Sequence, residues 1–572
     1  TLPLNPSDST SETVYGADES GYIAGLTKLY FNFVSNETTD LQVSDAGASE
    51  LVRAFWTVQE VTSDACKCAW ENDAWVRAMN TNTWSDADND ATYAVYVRTL
   101  QGIAYTNEYL RQTASDKLSD RGVSSELAAK IQGFRAEARF LRAFYYFNLV
   151  ECWGDVPFKT VSTQSVTNLN IPRTDKQEIY DFIISEMADA AETGLKSASD
   201  LAYKPGRISQ STAWGILARV YLFRAGEHYR EGRNATQAEK KDYFERASFY
   251  AQKVMTAGHK LAANYWDPFI DMCSDKYNTT ANESIWEAEF AGNNTSDTQA
   301  EGRIGNIIGL AGPDLSSKSD VTGAKDPGYG YAFIYSTPKL YNLYVNNGDT
   351  KRFNWSIAPF EYKEAGGKNT GVTHREFEQG KLAEVMSQYG QQRGTYQYAD
   401  DTEKTTATKN FSRMCGKYRR EYEADKKDKN YTSINFPILR YADVLLMIAE
   451  AENEANNGPT TLAYQCMKEV RERAGLNELP DMTQEEFRQT VKDERAMELC
   501  FEYTRRFDLI RWGEYVKNMR ALVTEAQSGN NWTQGPTNVY TYFNISSTYN
   551  YFPIPDAEMS VNKDITQNNP GW

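Results

Sequence analysis

Residues 127–150, LAAKIQGFRAEARFLRAFYYFNLV, are the part of the sequence that indicates the fold class most clearly. Apolar side chains recur in it at spacings of three and four, which places one set on a single face of an α-helix: Ile131, Phe134, Ala138, Leu141, Tyr145 and Leu149. Gly154 and Pro157 follow and predict where the helix ends. The stretch therefore indicates a long amphipathic helix whose apolar face needs a neighbour.

The same periodicity recurs along much of the chain. It appears in segments 93–110, 179–195, 211–224, 243–257, 441–456 and 461–474. Four residues match the W-x2-L-G-x2-Y core of a tetratricopeptide repeat, with Ala in place of Gly: Trp214, Leu217, Ala218 and Tyr221. Because each helix pair buries its apolar face only against the next pair, several must stack. We therefore predict a mainly α fold, a tetratricopeptide-like helical-repeat scaffold with long irregular loops.

We predict a single domain over residues 1–572, with parts of different character. The polar start, residues 1–20, is expected to be an extended tether. Residues 90–260 and 436–525 carry the helical-repeat scaffold. Residues 262–435 are rich in Gly, Asn, Tyr and Ser and are predicted to be irregular. Long irregular segments inside folded proteins usually carry function, so we place ligand binding in that region.

Charge and motif content exclude several classes of function. A net charge of −17 disfavours nucleic acid and anionic lipid surfaces, so a neutral or cationic ligand is expected. The 7 cysteines lack paired C-x-x-C spacing and the 3 histidines do not cluster, so we predict no metal site and no cofactor. Nucleophile-elbow and phosphate-loop motifs are absent, as is any apolar run long enough to span a bilayer. A glycosidase pair among the 78 acidic residues stays open.

Aromatic residues cluster in the segments predicted to be loops. Sugar rings stack on flat aromatic faces, while their hydroxyl groups need polar partners around the rim. We predict four stacking residues: Trp70, Trp75, Tyr329 and Tyr331. Asp73, Arg77 and Asn293 are the predicted polar partners. The alternative for each ring is burial in the scaffold.

Four blocks of sequence, spread from residue 135 to residue 572, resemble the SusD/RagB family. They are RAEARFLRAFYY at 135–146 with WGDVP at 153–157, LRYADVLL at 439–446 with AEA at 449–451, FEYTRRFDLIRW at 501–512 after Glu494, Arg495 and Glu498, and PIP at 553–555 with QNNPGW at 567–572. Tyr503 departs from the family's usual Gly, and Arg506 from its usual aromatic residue. We expect the Arg and Glu residues of these blocks to join helices through ion pairs rather than to bind sugar.

The resemblance implies a function without catalysis. Members of the family are lipid-anchored on the outer membrane of Gram-negative bacteria that degrade glycans, where they are exposed at the cell surface. They bind oligosaccharides, with aromatic residues of an N-terminal loop and the irregular middle, and deliver them to a SusC-like TonB-dependent transporter. Leu2-Pro3-Leu4 resembles the segment just after the family's lipidated cysteine, so the anchor is expected upstream of Thr1. Two alternatives are capture of peptide or glycopeptide by the same architecture, and a repeat scaffold that binds protein.

Overall fold

Helix α5 (Ser125–Trp153) contains residues 127–150, and it begins and ends beside capping residues. The Ser124 side chain accepts a hydrogen bond from the backbone N–H of Leu127, which satisfies one of the free donors of the first turn. Gly154 follows the last turn with φ of 72°, a left-handed conformation that favours glycine. The helix and its end at Gly154 are thus as predicted.

The computed structural model describes residues 14–35, 51–68, 79, 90–162, 170–230, 236–278, 280–290, 302–315, 326–364, 372–376, 403–404, 413–423, 429–527 and 545–572. The chain forms two compact units. The first contains residues 1–55, 84–258 and 546–572, and the second contains residues 56–83 and 259–545. The division at residue 55 falls inside α2 (Leu51–Glu60).

Consecutive helices of the first unit pack against each other along the chain. Besides α5, its described helices are α1 (Ser20–Phe31), α3 (Asp90–Gln112), α4 (Ser115–Asp120), α6 (Lys176–Thr193), α7 (Gln210–Arg230), α8 (Gln237–Met255) and α18 (Asp556–Val561). Helix α5 packs on α3 and α6, α6 packs on α7, and α7 packs on α8. The rings of Tyr221 and Tyr250 stack between α7 and α8, with centroids 5.9 Å apart. These pairs form the predicted tetratricopeptide-like helical stack.

The first unit also contains a short hairpin and a buried part of the predicted tether. Strands β2 (Val156–Pro157) and β3 (Arg173–Thr174) pair antiparallel directly after α5. Tyr15, which the sequence places in the tether, is buried and lies 5.3 Å from the ring of Tyr22. The described end of the tether therefore packs on the helices, because an aromatic ring gains from burial beside other rings.

Helices of the second unit lie in two parts of the chain, residues 267–356 and 441–527. They are α9 (Asp267–Ser274), α10 (Ile304–Ile308), α11 (Pro338–Asn346), α12 (Thr350–Ser356), α13 (Tyr441–Ala455), α14 (Thr461–Arg473), α15 (Gln484–Leu499), α16 (Arg505–Arg511) and α17 (Tyr515–Gln527). Helices α13 and α14 pack together, and in the turn that joins them Asn457 has φ of 53°. Four of these helices, α9 to α12, lie in the region 262–435 that the sequence predicts to be irregular, because short helices give weak periodicity.

Short strands complete the second unit. They are β1 (Cys66–Cys68), β4 (Ser284–Ala288), β5 (Ile334–Ser336), β6 (Ile357–Ala358), β7 (Phe360–Glu364), β8 (Val372–Glu376), β9 (Glu403–Lys404), β10 (Met414–Cys415) and β11 (Phe436–Arg440). The first sheet has the order β1-β5-β10-β6, the second pairs β11 with β4, and the third has the order β7-β8-β9. Strand β5 directly follows residues 326–333, which makes its sheet a support for that segment.

Arg and Glu residues of the family blocks at 439–446 and 494–512 form a buried ion-pair network in the second unit. Arg440 pairs with Glu283 at 2.9 Å, with Glu498 at 3.0 Å and with Glu502 at 2.6 Å. Further buried pairs join Arg352 to Glu494 and Glu498, Arg473 to Glu498, and Arg495 to Asp443 and Asp508. The prediction that these residues join helices is confirmed. No helix among the described residues is long and apolar enough to cross a membrane.

Candidate functional site

Tyr329 and Tyr331 are the two predicted site residues that the structure describes. Their rings meet edge to face, with centroids 4.7 Å apart and planes at 70°. Both side chains are half-buried, so each ring keeps some surface exposed to solvent. The other five predicted residues lie outside the described residues: Trp70, Asp73, Trp75, Arg77 and Asn293.

The backbone around the two tyrosines is fixed by close contacts that glycine permits. Gly330 pairs with Gly312 through two backbone hydrogen bonds of 3.3 Å, and a Cβ at Gly330 would overlap the carbonyl oxygen of Leu310. Gly328 has φ of 86° and its backbone N–H donates to the Asp326 carboxylate at 2.8 Å. The segment that carries the rings therefore has a defined path.

Helix α10 holds the same segment from a second side. The backbone N–H of Tyr331 donates to the carbonyl of Asn306 at 2.8 Å, and that of Phe333 donates to the carbonyl of Ile307 at 3.0 Å. Phe333 is half-buried, and its ring stacks on Tyr331 with centroids 5.2 Å apart and planes at 28°. Tyr329, Tyr331 and Phe333 thus form a continuous set of partly exposed rings, which we call the ring cluster.

Arg420 connects the ring cluster to a distant part of the chain. Its buried guanidinium donates to the carbonyl of Tyr329 at 2.9 Å and to that of Tyr431 at 3.1 Å. The Glu423 carboxylate accepts from the Nε of Arg420 at 2.8 Å and fixes its orientation. Tyr431 is also half-buried, so Arg420 fixes the backbone of a fourth partly exposed ring together with that of Tyr329.

Charged and polar groups surround these rings. The Lys429 ammonium lies 5.4 Å from the centroid of Tyr329 and 3.5 Å from the Asp314 carboxylate. The Arg303 guanidinium lies 5.9 Å from the centroid of Tyr431 and donates to the side-chain oxygen of Asn306 at 3.1 Å. Cations over aromatic faces are attracted by the ring quadrupole. The rim therefore offers donors and acceptors beside partly exposed rings.

Burial, and then the adjacent Tyr331, raise the pKa of Tyr329 above its ordinary value of 10.0. The hydroxyl consequently stays protonated at neutral pH and can donate a hydrogen bond. Tyr335, a third tyrosine of the same segment, is 1% exposed in β5 and is not part of the ring cluster.

Phe333, Tyr431 and Arg420 are site residues that the sequence analysis missed. Phe333 continues the i, i+2 spacing of Tyr329 and Tyr331, which was a usable signal. Tyr431 and Arg420 lie about a hundred positions further along the chain, and no local pattern connects them to the ring cluster. In the described part of the chain, no group of three or more His, Cys, Asp or Glu side chains could hold a metal ion.

Comparisons with known proteins agree with this architecture. Residues 34–222 match a family model described as "Starch-binding associating with outer membrane". The chain is 24% identical over 583 residues to the starch-binding protein SusD of Bacteroides thetaiotaomicron, covering 99% of this chain and 94% of that protein. It is 24% identical over 470 residues to SusD-like protein P2 of Formosa agariphila, covering 80% of this chain and 78% of that protein.

Solved structures share the fold. A SusD homolog from Bacteroides thetaiotaomicron superposes with a TM-score of 0.76 at 22% identity, covering all of both chains. Surface glycan-binding protein A from the same species, in complex with laminarihexaose, superposes with a TM-score of 0.64 at 17% identity, covering 96% of this chain and 98% of that one. A family model described as "SusD family" matches residues 282–572, more than half of the chain, and this match shows that the chain belongs to the SusD family.

Proposed function

We propose that this protein binds an oligosaccharide at the cell surface and delivers it to a SusC-like TonB-dependent transporter without catalysing a reaction. The observation that carries the proposal is the ring cluster of Tyr329, Tyr331 and Phe333, held on a backbone of defined path and left partly exposed. Flat aromatic faces beside polar groups are suited to sugar rings, which present C–H groups on their faces and hydroxyl groups on their edges.

The rim supplies the hydrogen bonds that a bound sugar needs. Asp314 accepts, Lys429 and Arg303 donate, and the Tyr329 hydroxyl can do both. A sugar hydroxyl that loses water on binding must regain a partner, because an unpaired buried polar group costs about 1 to 3 kcal/mol. Each stacked ring contributes only about 0.5 to 1.5 kcal/mol beyond its buried area. We therefore expect modest affinity that depends on several rings together.

Relatives support this function by what their names state. One is named a starch-binding protein, one solved structure is a laminarin-binding SusD-like protein, and another holds laminarihexaose. The matched family description, which places starch binding at the outer membrane, supports a location there. We further propose that a lipid on a cysteine upstream of Thr1 anchors the protein at the outer face of that membrane.

The predicted residues outside the described part of the chain complete the proposed site. We propose that Trp70 and Trp75 stack on the same glycan as the ring cluster, and that Asp73, Arg77 and Asn293 bind its hydroxyl groups. Their sequence context, aromatic residues alternating with charged and amide residues, supports this role.

A glycan panel tests the proposal. Calorimetry of the chain against neutral oligosaccharides, including laminarihexaose, with peptide and buffer controls, should find at least one glycan that binds and is recovered uncleaved. Replacing both Tyr329 and Tyr331 by Ala should weaken binding by about tenfold or more, since two stacked rings are lost. The matched control Tyr277→Ala removes a tyrosine whose hydroxyl donates to Glu289 rather than to a residue of the ring cluster, and it should leave affinity unchanged. Binding of peptide alone, or full binding by the double variant, would contradict the proposal.

A further inference from the structure

A cavity of about 220 Å³ lies in the first unit, between the first turns of α5, the end of α6 and the loop that leads to α7. Buried apolar side chains form part of its wall: Phe134, Leu195 and Ile208. The ring cluster belongs to the other unit, and none of its residues lines the cavity. Its volume is below the roughly 300 to 1,000 Å³ of pockets for drug-sized ligands, which limits any occupant to a smaller molecule.

A buried carboxylate and a fixed guanidinium stand together in the cavity wall. Glu137 is 5% exposed and accepts from the Nε of Arg207 at 2.8 Å and from its Nη2 at 3.0 Å. The Tyr30 hydroxyl donates to the same carboxylate at 2.7 Å, and in turn accepts from the backbone N–H of Ile208 at 3.1 Å. Arg207 therefore neutralises Glu137 and has little freedom to move.

Hydrogen-bond donors remain available at this cavity. Among the described residues, the Nη1 of Arg207 and the side chains of Lys196 and Gln132 have no hydrogen-bond or ion-pair partner. Lys130 also lines the cavity and pairs with the half-exposed Glu19 at 2.5 Å. Arg207 and Lys130 are thus paired with Glu137 and Glu19, and among the described residues Lys196 is a cation of the cavity wall that no carboxylate neutralises.

We infer that this cavity binds a small organic carboxylate. The carboxylate group would accept from the Nη1 of Arg207 and from Lys196, and the apolar body would lie against Phe134 and Ile208. Guanidinium groups bind carboxylates through charge-assisted hydrogen bonds that are about twice as strong as neutral ones. Arg207 is held by Glu137 before any ligand arrives, so binding does not have to order it. The negative charge of the whole chain is screened beyond about 8 Å at physiological salt, so these nearby cations dominate.

Benzoate serves as the probe, because it joins a carboxylate to a small apolar ring. Titration of the full chain, followed by calorimetry and by ligand-observed NMR, should show saturable binding of benzoate and at least about tenfold weaker binding of the neutral benzyl alcohol. Lys196→Gln removes an exposed cation that has no ion-pair partner among the described residues, so the fold is retained and benzoate affinity should fall about two- to fivefold.

A second variant tests the cavity itself. Gly133 lines the cavity on α5, and a Cβ there would make only an ordinary contact of 3.4 Å with the carbonyl oxygen of Gly194. Gly133→Leu should therefore fill the cavity and abolish benzoate binding while circular dichroism and glycan binding stay unchanged. No saturable benzoate binding, equal binding of benzyl alcohol, or indifference to both variants would overturn the inference.

Discussion

Arg420 shapes the candidate glycan site while its own side chain is 4% exposed. Its guanidinium binds the carbonyls of Tyr329 and Tyr431, and Glu423 holds it in place. A Cβ at Gly328 would come within 2.6 Å of the Arg420 side chain, so glycine at 328 makes the close approach possible. The rings available to a sugar are thus arranged by a cation that the sugar need not touch.

Tyr503 shows how a departure from the family pattern is accommodated. It stands where the family usually has Gly, and it has φ of 45°, a conformation that costs a non-glycine residue about 1 kcal/mol or more. Its ring stacks on Phe436 with centroids 4.8 Å apart and planes at 6°, and its backbone N–H donates to Glu60 at 2.6 Å. Stacking and the hydrogen bond offset the cost of the backbone conformation.

Glu60 should make stability depend on pH. Burial raises the pKa of Glu60 from 4.5 to about 8, so the folded carboxyl keeps its proton while the unfolded one releases it. Between these two pKa values the folded state therefore binds more protons than the unfolded state. The contribution of Glu60 to the free energy of unfolding is complete below pH 4.5 and is lost as the pH rises through 8. We expect Glu60→Gln, whose amide oxygen can still accept from Tyr503, to be more stable than the wild type at pH 8 by about 2 to 4 kcal/mol, with the difference vanishing near pH 4.5.

Urea unfolding at both pH values measures this difference. Burial lowers the pKa of Lys67 to about 7, so this residue makes the free energy of unfolding rise with pH above that value. Lys67 is present in both the wild type and Glu60→Gln, so its effect cancels in the difference between them. The matched control is Glu245→Gln, the same substitution at an exposed position of α8. Identical pH slopes for wild type and Glu60→Gln would show that Glu60 ionises normally in the folded protein.

The sequence predicts part of the candidate site, for a physical reason. Tyr329 and Tyr331 alternate with small residues in one short segment, so their proximity follows from local spacing. Tyr431 and Arg420 reach the same place only through tertiary hydrogen bonds to carbonyls, and those leave no periodic signal. Residues that join a site through polar contacts between loops therefore cannot be predicted from sequence patterns.

At the scale of elements, α5 shows both the strength and the limit of periodicity. The apolar face predicted from residues 127–150 is buried, as the spacing of three and four requires. From Phe140 to Trp153 every side chain is buried, including Arg142, Asn148 and Glu151. Periodicity identifies the face that must be covered, but it cannot reveal that other elements cover the remaining faces. The Nη1 of Arg142, which donates to Asn107 at 3.0 Å, is satisfied by a neighbouring helix.

Gly133 inside α5 and Gly154 directly after it should respond in opposite ways to replacement by alanine. Gly154, directly after the helix, has φ of 72°. A Cβ added to Gly154 would lie 3.2 Å from the ring of Tyr551. Gly154→Ala should lower the free energy of unfolding by about 1 to 2 kcal/mol, because alanine is strained at that φ. Gly133, inside the helix, has room for a Cβ, so Gly133→Ala should raise stability by about 0.5 to 1 kcal/mol.

Thermal and urea unfolding of both variants beside the wild type measure these changes. Each variant adds the same single methyl group, so the pair controls for added hydrophobic surface. The two changes in the free energy of unfolding should have opposite signs, but they need not be equal in size. Destabilisation by Gly133→Ala would show that the contact of the new Cβ with the Gly194 carbonyl is tighter than an ordinary one.

At the scale of the whole molecule, charge is distributed unevenly. The chain carries −17, yet many of its buried acidic groups are neutralised by guanidinium groups, as Glu498 is by Arg440. Burial acts to raise the pKa of Glu498, but the adjacent guanidinium groups of Arg473, Arg440 and Arg352 outweigh it and lower that pKa below its ordinary value. The contribution of Glu498 to stability is therefore present above pH 4.5 and is lost as the pH falls below it. The family blocks at 439–446 and 494–512, which meet in this network, stabilise the second unit through charge pairs that the net charge of the chain does not reveal.

The two proposed binding sites should differ in their response to salt. A neutral oligosaccharide bound by the ring cluster gains from stacking and hydrogen bonds, neither of which is screened by ions, so its Kd should change by less than about twofold between 50 and 500 mM NaCl. Benzoate bound beside Arg207 and Lys196 depends on charge attraction at a partly exposed rim, so its Kd should rise by about threefold or more over the same range. Calorimetry of both ligands on one sample of the full chain makes the comparison direct. A glycan whose affinity falls as steeply as that of benzoate would indicate that Lys429 and Arg303 bind an anionic group, and the ring cluster would then be recognising a charged sugar rather than a neutral one.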